Sequence, residues 1–169
     1  MSRELIKLKS TEDGLHIADS ILWLDSQLSG DLSFLSSASA LSQTRVPQVI
    51  ATEETVKILE ACRKKPHALV CQYNRPFSIG RLKMELLPSG CVLGGASLYV
   101  ETDKGRVLYA PSLQPNSIAT VRKMQVKKAN VLILGAFHPD PNQSLPNRRK
   151  EKERLAAYIK ENIAQGRTP

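Results

Sequence analysis

The chain predicts a mixed α/β fold in which helices pack on a sheet that is largely antiparallel in its centre. Three observations carry this. Short apolar or alternating runs bounded by turn residues recur along the chain, as half-buried strands require. Two of these runs, in "SLYVETDKGRVLYA", flank "DKG", which supplies the turn chemistry of a β-hairpin. Between the runs lie segments with helical spacing and end signals.

The strand runs, in order, are "GLHIADSILWLD" (14–25), "DLSFLS" (31–36), "PQVIAT" (47–52), "HALVCQY" (67–73), "KMELLPSG" (83–90), the hairpin (96–110) and "NVLILGAF" (130–137). A first helix is expected over "ATEETVKILEACRKK" (51–65). Thr52 is its N-cap, Glu53 and Glu54 stand in its first turn, and a basic cluster at its end complements the helix dipole. A second, shorter helix is expected over "SIATVRKMQVKKA" (117–129). The third, "NRRKEKERLAAYIKENIAQG" (147–166), has a solvated basic start and then Leu155, Ile159 and Ile163 at four-residue spacing, and closes at Gly166. That apolar stripe has to face something. "HPDPNQSLPN" (138–147) reads as the one Pro/Asn-rich loop, and no repeat divides the chain, which reads as a single domain over 1–169.

Length and composition exclude several classes. A chain of 169 residues, 41% hydrophobic and 24% charged, can bury a core without staples. The start "MSRELIKLKSTEDG" lacks the apolar stretch of a signal peptide, and no run approaches a membrane span, so a cytoplasmic protein with no membrane partner is expected. Cys62, Cys71 and Cys91 are an odd set with no CxxC pair, which argues against a disulfide framework and a cysteine zinc site. The net charge of +8 is uneven: residues 1–55 carry four Lys/Arg against eight Asp/Glu, and the rest carries twenty against eight. A basic body favours polyanions.

The residues taken alone do not spell an active site. His16, His67 and His138 are far apart with no His-x-His, whereas zinc needs three or four clustered ligands. Gly-x-Ser-x-Gly is absent, Ser37 and Ser39 read as capping or loop serines, and "LGGAS" lacks the glycine spacing of a phosphate loop.

Taken in order, "GLHIADSILWLDSQLSGDLSFLSSASALS", "VPQVIATEET", "MELLPSGCVLGGASLYVETDKGRVLYAPS" and "ANVLILGAFHPDP" resemble the metallo-β-lactamase fold of the β-CASP nucleases, and among them the bacterial DNA-ligase-associated exonuclease-like proteins. The resemblance implies an αββα sandwich that stops before the β-CASP insert. It also implies that "FLSSASALS" stands where that family carries His-x-His-x-Asp-His, so that Ser37, Ser39, Leu41 and Ser42 occupy four ligand positions. Cys91 stands where a ligand histidine belongs, Pro111 and Ser112 replace a glycine and the bridging aspartate, and Gly135 replaces a usual glutamate. Only Asp25, in "LWLD", matches a family acid. Serine hydroxyls are too weakly basic to hold zinc, so no metal and no cofactor is expected.

The resemblance therefore implies a pseudonuclease, not an enzyme, that serves as an interaction or scaffold subunit in nucleic-acid processing or DNA repair. Loss of the returning segment would leave a sheet edge or the C-terminal helix uncovered, which implies a homodimer or hetero-complex. Two alternatives stand beside it. One is a sequence-independent nucleic-acid-binding module using Lys64, Lys65, Arg122, Lys123, Lys127, Lys128, Arg148 and Arg149. The other is a residual hydrolase that re-uses Asp25 and Cys91.

Overall fold

A computed structural model of the chain describes residues 6–12, 14–26, 32–41, 48–116, 120–136, 140, 142, 144 and 146–168. It has the mixed α/β architecture expected, with two sheets and two helices among the described residues. The chain forms two compact units, residues 1–135 and 136–169.

In the first unit, one six-stranded sheet, here sheet A, runs β1 (Leu8–Thr11), β2 (Gly14–Ile17), β3 (Leu22–Leu24), β4 (Leu32–Phe34), β5 (Val49–Ala51) and β6 (Ala68–Val70) in chain order. The first three strands pair antiparallel and the last three add in parallel. Sheet B has the order β11-β10-β9-β8-β7, from β7 (Phe77–Ile79), β8 (Leu82–Pro88), β9 (Ala96–Thr102), β10 (Gly105–Ala110) and β11 (Val131–Leu134). It is antiparallel except for the parallel β10–β11 pair. The "DKG" hairpin is as expected, with Thr102 opposite Gly105. Two strands lie outside the expected runs: β1, of which only Leu8 escapes full exposure, and the three-residue β7.

The two sheets share one apolar core. Ile17, Leu22, Leu24, Phe34 and Ile50 from sheet A meet Met84, Leu86, Leu98, Val100 and Val107 from sheet B, all nearly inaccessible to solvent. Alternation puts the next residues on the outer faces. On sheet A's outer face, Val49 and Ala51 pack with Leu35, Leu41 and with Val56 and Leu59 of α1 (Glu53–Ala61).

Helix α1 starts as expected, with the Thr52 hydroxyl accepting from Thr55 N–H at 3.2 Å. It ends a turn earlier than expected. Arg63 adopts φ +60, and the N–H groups of Arg63 and Lys64 donate to Glu60 O and Leu59 O, both at 2.9 Å. These two bonds close the last turn in the Schellman manner, so the basic cluster lies beyond the helix.

The helix expected over 117–129 is not formed in its described part, 120–129. Residues 113–116 and 120–130 instead form an irregular strap over sheet B's outer face, where Leu113 and Ala129 pack on Leu87, Tyr99, Leu108 and Ala110. The strap's backbone is committed outward: Gln114, Gln125 and Asn130 N–H donate to Ser89 O, Pro88 O and Arg106 O, each at 3.0 Å. Bonds to loops and a sheet edge, together with β-branched Val121 and Val126, outweigh a helical period that has few partners of its own.

The second unit contains α2 (Arg148–Ala164), begun by the Asn147 side chain, which accepts from Arg149 and Lys150 N–H at 3.0 and 3.3 Å. Gly166, at φ +69, follows its end as expected. Of its apolar stripe, Leu155 is 58% and Ile163 61% accessible, and Ile159 is half-buried.

Candidate functional site

The described residues aligned with ligand positions lie in loops at one end of the sandwich, where β3, β4 and β10 finish and β9 begins. Asp25 directly follows β3 and takes φ +50, a conformation that Asp tolerates better than most side chains. Its N–H donates to Phe34 O at 2.8 Å, which fixes it against the end of β4.

Both oxygens of the Asp25 carboxylate are hydrogen-bonded. Oδ1 accepts from Ser36 N–H at 2.7 Å and Oδ2 accepts from the Tyr109 hydroxyl at 2.8 Å. Burial pushes its pKa above the ordinary 3.8, against the opposing pull of the hydrogen bonds from Ser36 and Tyr109. Burial, then the Asp25 charge, drives the Tyr109 phenol upward as well. Tyr109 is in β10 of sheet B, and its ring meets Phe34 of sheet A edge-on at 6.2 Å and 85°. Ser36 O in turn accepts from Ala96 N–H of β9 at 2.8 Å. Asp25, Ser36 and Tyr109 thus tie the two sheets together at this end.

The neighbouring positions carry little ligand chemistry. Ser37 and Ser39 hydroxyls bond each other at 2.8 Å across the 3-10 turn Ala38–Ala40. Leu41 is buried in the apolar cluster beneath α1. Ser42 lies outside the described residues, as does His138. Cys91 is half-buried, and burial raises its thiol pKa, away from the thiolate a metal needs. Ser112 is half-buried in the turn after β10. At Gly135 an added Cβ would meet Pro111 O at 1.9 Å, so no side chain fits where the resemblance implies a glutamate. Among the described residues no three His, Cys, Asp or Glu side chains form a metal-holding group. The donor set offered by these positions does not fit a zinc pair.

The loop "SGCVLGGAS" is shaped by close contact. Thr52 and Thr55 hydroxyls both donate to Gly94 O, at 2.8 and 3.0 Å. A Cβ on Gly94 would lie 2.7 Å from Thr55 N, and Gly94 already sits at φ +76. Tyr73 donates to Gly95 O at 2.9 Å, and burial raises its pKa to about 12.

The eight basic candidates are divided among three places. Lys64 and Lys65 follow α1 on sheet A's outer layer, where Lys64 Nζ donates to Leu41 O. Arg122, Lys123, Lys127 and Lys128 belong to the strap on sheet B's outer layer. There Arg122 stands 5.4 Å over the Tyr73 ring, while Lys127 pairs with buried Glu85 and stands 5.3 Å over Tyr99. Arg148 and Arg149 begin α2 in the second unit, with Arg149 3.1 Å from Glu153. Sequence reasoning missed Tyr109 and Ser36. The one available signal is a lone hydroxyl-bearing aromatic inside the apolar strand "RVLYA".

No protein-family model matches the chain, and no curated protein does. Solved structures do. A Cronobacter sakazakii metallo-beta-lactamase with a HARLDQ motif is similar over 96% of this chain and 84% of its own, at 13% identity and TM-score 0.47. The metallo-beta-lactamase fold protein YhfI from Bacillus subtilis is similar over 65% of this chain and 57% of its own, at 10% identity and TM-score 0.40. A protein of unknown function from Enterococcus faecalis V583 is 20% identical with TM-score 0.43; the match covers 50% of this chain but only 25% of that one.

Proposed function

We propose that the chain is a pseudonuclease of metallo-β-lactamase type, a non-catalytic domain that works by binding a partner. The observation that carries this reading is the state of Asp25: both its oxygens are hydrogen-bonded, to Ser36 and to Tyr109, so the one acid left at the site serves as a strut between sheets. A buried carboxylate held by a hydrogen bond at each oxygen is oriented by the protein, and the serine pair and buried Leu41 beside it add no strong donor. The test is zinc content by plasma mass spectrometry, together with cleavage of labelled DNA and RNA with and without chelator. Stoichiometric zinc with chelator-sensitive cleavage would sink the reading.

The partner is a second copy or another protein that covers exposed apolar surface. Strand β11 ends sheet B, and its outward Leu132 and Leu134 are 55% and 54% accessible. Edge strands of this kind pair readily. Helix α2 offers Leu155, Tyr158 and Ile163. A monodisperse monomer in light scattering across micromolar concentrations, unchanged by Leu132→Lys with Leu134→Lys, would remove the homodimer.

A further inference from the structure

A cavity of about 690 Å³ lies at the end of sheet B remote from Asp25. It opens between the β7–β8 turn, the β9–β10 turn and the residue that precedes β11. Four cations line it, Arg81, Lys83, Lys104 and Arg106, against two carboxylates, Glu101 and Asp103. Their commitments differ. Arg106 is held by Glu101 at 3.1 Å and Lys104 reaches Asp19 at 3.4 Å. Arg81 and Lys83 form no ion pair among the described residues, although Lys83 stands opposite Glu101 in the β8–β9 register; both are exposed, two positions apart on the β7–β8 hairpin.

The walls are fixed before any ligand arrives. Asn130 Oδ1 accepts from Arg106 N–H and Asn130 N–H donates to Arg106 O, both at 3.0 Å. Gly105 permits this approach, since an added Cβ would meet Asn130 Oδ1 at 3.0 Å and the residue sits at φ +140. Across the turn, the Thr102 hydroxyl accepts from Lys104 N–H at 3.2 Å and donates to Gly105 O at 3.1 Å. A concave site with a surplus of one charge, on a rigid frame, concentrates ions of the other sign and loses little entropy on binding them. The cavity is far larger than a single halide or carboxylate needs and falls within the range of small-molecule sites. Among the described residues it has no aromatic lining on which a base could stack.

We propose that this cleft binds the phosphate chain of a polyphosphorylated small molecule, with Arg81 and Lys83 as its principal contacts. Guanidinium and ammonium groups grip phosphate oxygens by charge-assisted hydrogen bonds, and an unpaired cation has no internal bond to surrender first. Glu101 opposes the ligand, because it holds Arg106 and adds negative charge to the wall. The site is independent of the reading of Asp25.

The test is calorimetric titration of the full chain with inorganic tripolyphosphate and with ATP, at low and at physiological salt. Arg81→Gln with Lys83→Gln is expected to weaken tripolyphosphate binding about tenfold or more. Lys65→Gln with Lys123→Gln, outside the cleft, removes the same charge and is expected to change it less than twofold. Glu101→Gln is expected to tighten binding. Both charge pairs are exposed, and matching melting curves and circular dichroism show whether each variant folds; Lys83→Gln alone is the milder substitute if the double variant does not. ATP binding more tightly than tripolyphosphate assigns the ligand to nucleotides, and the reverse assigns it to inorganic polyphosphate; either result upholds the site. No binding at low salt, or equal losses in the two double variants, overturns it.

Discussion

The Tyr109 hydroxyl donates to Asp25 Oδ2 at 2.8 Å, joining residues 84 apart in the chain and on different sheets. The bond turns an acid that the resemblance assigns to metal support into a structural tie. Its removal leaves a shielded carboxylate oxygen without a partner. Tyr109→Phe is therefore expected to destabilise the protein by about 1–3 kcal/mol, read from urea unfolding at neutral pH.

Replacing the acid itself separates a structural from an ionic role. Asp25→Asn keeps an acceptor for Ser36 N–H, offers its amide to the Tyr109 oxygen and tolerates φ +50. A loss of under about 1 kcal/mol is expected, against about 2 kcal/mol or more for Asp25→Ala, which abandons both bonds. Equal losses in the two variants would refute the strut.

Asp25 also gives stability a pH dependence of known sign. Its folded pKa is raised above 3.8 by burial, so the folded state holds this proton more tightly than the unfolded state does. The resulting stabilisation is fully present below the unfolded value and is lost as pH rises through the folded one. The difference in unfolding free energy between the native protein and Asp25→Asn should therefore shift against the native protein as pH rises above about 4 and level off past the folded pKa. A flat difference between pH 4 and 8 would contradict the raised value.

Gly94 provides a steric prediction. Gly94→Ala adds a Cβ 2.7 Å from Thr55 N at a residue with φ +76, whereas Gly80→Ala, at φ +57, meets nothing within 4 Å. The Gly80 variant should lose only the left-handed backbone cost of about 1–2 kcal/mol. The Gly94 variant should lose clearly more, because α1 or the 89–95 loop has to move. Thermal melting of the two side by side decides it.

The thiols should differ in reactivity. Cys62 is exposed, whereas burial raises the pKa of both Cys71 and Cys91. Iodoacetamide at neutral pH should label Cys62 first, with Cys91 slower by about tenfold. Fast labelling of Cys91, followed by mass spectrometry, would instead favour the residual hydrolase.

What could be read from the sequence was mostly local. The "DKG" turn, the Thr52 cap and Gly166 each act through residues a few positions away, and each is found as expected. Strand β1 is legible only through its pairing with β2, since its own side chains are mostly exposed. The strap defeats a periodicity argument because the backbone N–H groups of Gln114, Gln125 and Asn130 bond to Ser89, Pro88 and Arg106, none of which is near in sequence. The site divides in the same way. Asp25 was identifiable as unusual, but its partners Ser36 and Tyr109 were not, since nothing in "RVLYA" tells where a phenol will point. The cleft around Arg81 and Lys83 was equally hidden, because two turns from different parts of sheet B build it.

The strap also dictates an order of assembly. Strands β7 to β10 are joined by tight turns or short loops and can zip up by successive nearest-neighbour pairing. Strand β11 pairs parallel with β10 and can dock only after the twenty-residue connection between Ala110 and Val131 has closed. Closing so long a loop is entropically slow, so β11 should be the last strand of sheet B to gain protection during refolding. Hence, in a freshly made chain, Leu108 and Ala110 on sheet B's outer face, together with β10's unpaired backbone, would stay open to solvent or to a chaperone until the strap closes.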